Sequence, residues 1–181
     1  MPLGKEDWIN AGFRALATGG PATVKVEMIA RELGTTKGSF YWHFKDQAAL
    51  KTAMLEVWQA KATVEVSGPL KEITSSAAKI EALAEAAAKA PDDAFGGSQI
   101  EAAIRDWGRY DPAVRAAIEN VDSRRLEFTT SLFAGLSLAQ GDARTRGALF
   151  YSAYVGLLHR GALSTAEPGQ RLVDFARMLI G

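Results

Sequence analysis

Hydrophobic positions recur at helical spacing along nearly the whole chain, and no segment alternates convincingly in the two-residue period of a strand. Near the N-terminus Ile9, Phe13 and Leu16 fall on one face of a first helix. A second run, starting near Val26 or Glu27, puts Ile29, Ala30 and Leu33 on one face. Gly34 ends it, because glycine accepts the left-handed backbone common just past a helix C-terminus. The third run is short and aromatic. On a helix turning about 100° per residue, Lys37, Gly38, Tyr41 and Trp42 share one arc, while Phe40 and Phe44 stack on a neighbouring arc. One arc can anchor while the other reads, and small residues at the start of the helix let its backbone approach a duplex. This pattern predicts a helix-turn-helix. An ordinary helix pair around an aromatic core would account for Phe40 and Phe44. It leaves unexplained why Tyr41, Trp42 and His43 sit beside them, where all cannot be buried together.

Past this head, the pattern predicts more helices. Asp46 is placed to cap a long fourth helix with a stripe of Leu50, Met54, Val57 and Trp58, running to the break at Ser67-Gly68-Pro69. An Ala-rich helix over about 70–90 ends before Pro91, and a loop follows through Asp92, Asp93, Gly96 and Gly97. A short helix over about 98–108 carries Ile100, Ile104 and Trp107. Asp111-Pro112, a capping carboxylate followed by proline at the first helical position, starts a helix continuing to about Gly135. Gly141-Asp142 opens another to about 161, and Pro168 opens the last, to 180. The chain is therefore expected to be all-α, with about nine helices: a helix-turn-helix head over 1–46 and a helical bundle over 47–181.

The first 50 or so residues resemble the DNA-binding domain of the TetR family of transcriptional regulators, with Ile29-Ala30, Leu33-Gly34 and especially the run GSFYWHF in register. The resemblance implies an all-helical homodimer whose paired recognition helices enter successive major grooves of a palindromic double-stranded operator, and whose larger C-terminal part binds a small effector. It places Thr36, Lys37, Gly38 and Ser39 at base edges and neighbouring backbone, and Tyr41, Trp42 and His43 at phosphates, with Lys45 beside them. Two positions depart from the family pattern. Lys25 stands where Ser or Thr often opens the second helix, a change of phosphate donor. Gln47 stands where Lys or Arg is usual, which keeps a hydrogen bond and loses a charge.

Two later stripes have the character of a partner surface. Ala148, Ser152 and Gly156 form a row of small side chains flanked by Tyr151, Val155 and Leu158, and Leu172, Phe175, Ala176 and Leu179 line one side of the last helix. Pattern alone weighs core filling and partner contact equally. The resemblance tips the balance toward a four-helix dimer interface, and an isologous contact supplies the two-fold symmetry a palindrome requires.

Charge changes this picture little. The 181 residues carry no net formal charge. Residues 1–52 hold seven Lys or Arg (Lys5, Arg14, Lys25, Arg31, Lys37, Lys45, Lys51) against five acids (Glu6, Asp7, Glu27, Glu32, Asp46), and the remainder holds 14 against 16. That asymmetry permits phosphate neutralisation; the motif is what argues for it. Cysteine is absent, which excludes disulfides, thiolate zinc sites and cysteine nucleophiles. The opening MPLGKEDW has no apolar signal core, and the most apolar segment, 148–158, is shorter than the roughly 20 residues of a membrane span, so a soluble, cytoplasmic protein is expected.

Catalytic chemistry finds little support. His43 lies inside the motif, and His159, alone on an apolar helix, reads as a core residue rather than a ligand. No metal-spaced pair and no phosphate-binding glycine fingerprint occurs, so neither an enzyme nor a cofactor is expected. A ligand-enclosing bundle core is lined by aromatics with a few polar groups. Trp58, Phe95, Trp107, Tyr110, Phe128, Tyr154 and His159 form such a set, with Arg105 or Tyr110 to orient an apolar or aromatic effector, although each taken singly is more readily core. The runner-up reading is a small-molecule-binding helical dimer whose head binds DNA weakly or not at all.

Overall fold

The computed structural model describes residues 3–64, 70–88, 99–159 and 166–181. Among them are nine α-helices: α1 (Lys5–Gly19), α2 (Val26–Glu32), α3 (Lys37–Tyr41), α4 (Gln47–Val64), α5 (Ser76–Ala88), α6 (Ile100–Trp107), α7 (Pro112–Ala134), α8 (Gln140–His159) and α9 (Ala166–Ile180), with a 3₁₀ turn at Pro21–Thr23. No strand occurs among the described residues.

Caps explain most boundaries. Gly34 has φ +64°, the left-handed conformation expected past α2, and Thr35 N–H donates back to Ala30 O at 2.9 Å. Asp46 Oδ1 accepts from Ala49 N at 2.8 Å, closing the start of α4. Asp111 Oδ1 accepts from Ala113 N and Val114 N at 3.0 and 3.4 Å, and its other oxygen accepts from Trp107 Nε1 at 3.2 Å, so one side chain opens α7 and ties down the end of α6. Two starts differ from expectation. Helix α5 begins at Ser76, after a turn through Leu70, because Ser75 Oγ accepts from Ala78 N and so offers a cap that Leu70 lacks. Helix α9 begins at Ala166, ahead of Pro168, which the first turn accommodates because its N–H groups have no helical acceptor.

The chain divides into two compact units, Met1–Ala60 with Pro91–Ile118, and Lys61–Ala90 with Glu119–Gly181. In the first unit, α1 packs on α2 and on α6. Trp8, Phe13, Leu16, Ile29, Phe40, Leu50, Met54 and Ile104 are essentially inaccessible. Helices α1 and α4 approach so closely at Gly12 that an added Cβ would lie 2.7 Å from Met54 Sδ. In the second unit α9 packs along α5 and α8 around Ile80, Leu83, Phe133, Phe150, Leu172 and Val173. Gly147 lets α8 lie against α7: a Cβ there would meet Thr130 N at 2.8 Å, and Thr129 Oγ1 donates to Gly147 O at 3.3 Å. No helix among the described residues is long and apolar enough to cross a membrane.

Candidate nucleic-acid interface

The geometry of the head follows from dividing α3 between two jobs. Phe40 is fully buried, edge-on to Trp8 with ring centroids 5.3 Å apart and stacked on Phe44 at 5.4 Å, so three aromatic rings fix the inner side of the helix. Sequence reasoning found Phe40 and Phe44 and missed Trp8; its spacing of five from Phe13 falls outside the three-and-four rule that found the other α1 positions. The outer side is bare. Tyr41 is 61% exposed and Trp42 88%, and Lys37 and Gly38 are exposed with them. Thr36 sits at the N-cap, its hydroxyl accepting from Ser39 N at 3.4 Å, which sets the start of the helix at the residue that presents Lys37.

Around this face lie the other expected contact residues. Lys25 and Lys45 are exposed; Ser39, His43 and Gln47 are half-buried. Lys25 occupies the α2 N-cap without a side-chain cap bond. Lys37 Nζ pairs with Glu27 on α2, a partner the sequence reading did not single out. That hydrogen bond is the main reason the Glu27 carboxyl lies below its ordinary value of 4.5. An exposed helix carrying an aromatic pair and a cation, held rigidly from behind, suits a duplex groove, where cations and polar side chains meet phosphates and base edges.

The expected effector residues are divided between the two units. Trp58 and Trp107 are buried in the first unit, where Lys51 Nζ lies 5.3 Å from the Trp107 ring centroid. Arg105 pairs with Glu101 at 3.0 Å, both side chains about 10% exposed. Tyr110 is 84% exposed in the turn after α6, where Arg115 Nε, and not the tyrosine, reaches back to the Gly108 carbonyl at 3.3 Å. His159, expected in an apolar core, is exposed as the last residue of α8. Phe95 lies outside the described residues. Phe128 and Tyr154 pack at the edge of the second unit's core. There the structure adds residues that the sequence reading passed over: the Arg125 guanidinium lies 5.7 Å from the Tyr154 ring centroid, and Arg125 Nε donates to Ala62 O at 3.3 Å. The signal was available in the i, i+3 spacing of Asp122 and Arg125 on α7, facing Tyr151 and Tyr154 on α8.

Of the expected dimer residues, Ser152 and Gly156 are exposed, a Cβ at Gly156 would meet nothing within 4 Å, and Ala148, Val155, Phe175 and Leu179 are half-buried. Leu172 is a correction: it is fully buried in its own subunit's core. Tyr151 is also committed internally, its hydroxyl donating to Asp122 Oδ1 at 2.7 Å while its ring stacks on Tyr154. Leu149 at 49% and Met178 at 75% exposure are apolar side chains on α8 and α9 that the sequence stripes omitted.

Residues 9–54 match the family model of bacterial regulatory proteins, tetR family. No curated protein matches the chain significantly. Among solved structures, a transcriptional regulator from Rhodococcus sp. Rha1 is similar at 20% identity and TM-score 0.77, the match covering 99% of this chain and 95% of that one. A protein described as a transcriptional regulator from Saccharomonospora viridis, in complex with choline, has TM-score 0.81 at 17% identity and coverage of 96% and 95%. The fatty acid degradation regulator FadR from Bacillus halodurans has TM-score 0.78 at 17% identity, covering 100% and 97%. These likenesses establish a shared fold over nearly the full length.

Proposed function

We propose that this chain, whose residues 9–54 match the model of bacterial regulatory proteins, tetR family, acts as a homodimeric, effector-responsive repressor of a palindromic operator. The observation that carries the reading is the outer face of α3. A tryptophan 88% exposed at the C-cap and a tyrosine 61% exposed, on the same side as a lysine and anchored by buried Phe40, leave an aromatic and cationic surface open to a partner. In this reading Thr36, Lys37, Gly38 and Ser39 approach base edges, and Lys25, Tyr41, Trp42, His43, Lys45 and Gln47 meet the phosphate backbone. The two-fold dimer holds its α3 helices about 34–36 Å apart, one turn of duplex.

The body then receives a small apolar or aromatic effector. In this reading its site lies in the second unit near Phe128 and Tyr154, partly buried against the core, with the Arg125 guanidinium over the Tyr154 ring. The Saccharomonospora viridis neighbour holds choline, which supports a ligand role for this fold. An effector that binds better to a conformation with a different head spacing releases the operator, by no more than the ratio of its two affinities.

Selection of bound sequences from a random duplex pool, followed by anisotropy titration, tests the reading. Wild type is expected to enrich a palindrome, and Lys37→Ala and Tyr41→Ala each to weaken binding by about 1–3 kcal/mol. Variants that bind like wild type would displace α3 from the interface. Gln47 and the zero net charge favour the second reading, a ligand-binding helical dimer with an inactive head. Absence of any complex even at low salt selects that alternative.

A further inference from the structure

Lys37 is the sole cation of α3, and it is not free: its ammonium meets the carboxylate of Glu27, which projects from α2 onto the same outer face. The two side chains are 56% and 54% exposed, so the pair contributes little to folding. A carboxylate on a surface meant for phosphates is a cost to every duplex alike, since it cancels part of the positive field there. Lys25, two residues earlier, adds a second cation beside it. The Lys37 hydrogen bond, then a backbone hydrogen bond and the charges of Lys37 and Lys25, hold the Glu27 carboxyl below its ordinary value.

We propose that Glu27 is a specificity-determining positioning residue, which restrains the Lys37 ammonium for a base edge and withholds it from the backbone of unrelated sequence. The inference rests on the reading of α3 as the recognition helix. A lysine on a flexible four-carbon stem is a mobile point charge that takes whichever phosphate is nearest. Tied to Glu27, the ammonium keeps two further N–H donors directed outward, and guanine O6 and N7 in the major groove accept them. Removing the carboxylate returns Lys37 to general phosphate binding. Sequence discrimination falls while bulk affinity rises.

The test compares wild type, Glu27→Gln, Lys37→Ala and the double variant on the selected operator and on a scrambled duplex, across a salt series. For Glu27→Gln the scrambled duplex is expected to bind about tenfold tighter and the operator to change less than about threefold. The salt slope on scrambled duplex steepens by about 1, as one more phosphate contact forms. In the Lys37→Ala background, Glu27→Gln is expected to leave the ratio of the two affinities unchanged. The melting temperature stays at the wild-type value in all four proteins. An equal gain on both duplexes, a ratio change that persists without Lys37, or a lowered melting temperature in Glu27→Gln each overturns the proposal. If wild type retains no duplex at low salt, the recognition-helix reading itself falls, an outcome distinct from the other three.

Discussion

Phe40 on α3 and Trp42 at its C-cap have opposite physical assignments, so they separate folding from binding. Phe40 is inaccessible and touches Trp8 and Phe44, and truncation to alanine removes about 3–5 kcal/mol of stability. Trp42, 88% exposed, is expected to change stability by under about 0.5 kcal/mol on the same substitution. Chemical denaturation of the two variants distinguishes them, and a large loss for Trp42→Ala would mean that its ring has a partner in the free protein. The Glu27 carboxyl supplies a second check. Its folded value lies below the ordinary 4.5, chiefly through the Lys37 hydrogen bond, so its contribution is present above the usual carboxylate range and is lost as pH falls through the folded value. Carboxyl-carbon NMR titration is expected to show that depression in wild type and its recovery in Lys37→Ala. An unchanged Glu27 titration in the variant would show that the pair does not form in solution.

Glycines within helices report which faces are in contact at the scale of elements. At Gly147 of α8 an added Cβ would fall 2.8 and 2.9 Å from the Thr130 backbone, which cannot swing aside, so Gly147→Ala is expected to cost 2 kcal/mol or more, about the scale of core overpacking. Gly156, nine residues on in the same helix, faces open space, and Gly156→Ala should gain up to about 1 kcal/mol from helix propensity alone in the isolated subunit. Thermal melts at low concentration read both signs, and equal effects would put the α7–α8 contact elsewhere. The helices themselves were legible because amphipathic spacing and caps are local: Gly34, Asp46 and Asp111 each act within a few residues. What each helix packs against was not. That α6 lies on α1 in the first unit depends on positions some 90 residues apart, and nothing in a single stripe of Ile100, Ile104 and Trp107 names its partner. The same limit governs the sites. The outward face at α3 was readable, because Tyr41, Trp42 and His43 cannot all be buried beside Phe40 and Phe44. Tyr110, in the turn after α6, and His159, the last residue of α8, are exposed; they lie at or beyond a helix end, where periodicity no longer says which way a side chain turns.

For the whole molecule the decisive question is pairing, since a single head binding a half-site has neither the affinity nor the spacing to select a palindrome. The second unit offers a surface suited to it. Met178 and Leu149 expose apolar side chains at 75% and 49%, and Ser152 and Gly156 on α8 leave room for close helix approach. Leu172 and Tyr151 are satisfied within the chain, so the surface left for the proposed interface is narrower than the sequence stripes suggested and comprises the exposed residues of α8 and α9. A two-fold contact makes the same patch meet itself, which doubles the effect of any change there. Met178→Glu therefore sets two like charges near the axis of the pair while leaving the subunit core untouched. Sedimentation is expected to show this variant as a monomer with an unchanged melting temperature at low concentration, and operator affinity is expected to fall about 100-fold as the second head's intramolecular engagement is lost. Binding to an isolated half-site should stay within about threefold of wild type, since α3 is untouched. A variant that remains a dimer places the two-fold axis on another face, and one that is monomeric yet holds the full operator at wild-type strength shows that pairing is not what sets the spacing of the heads.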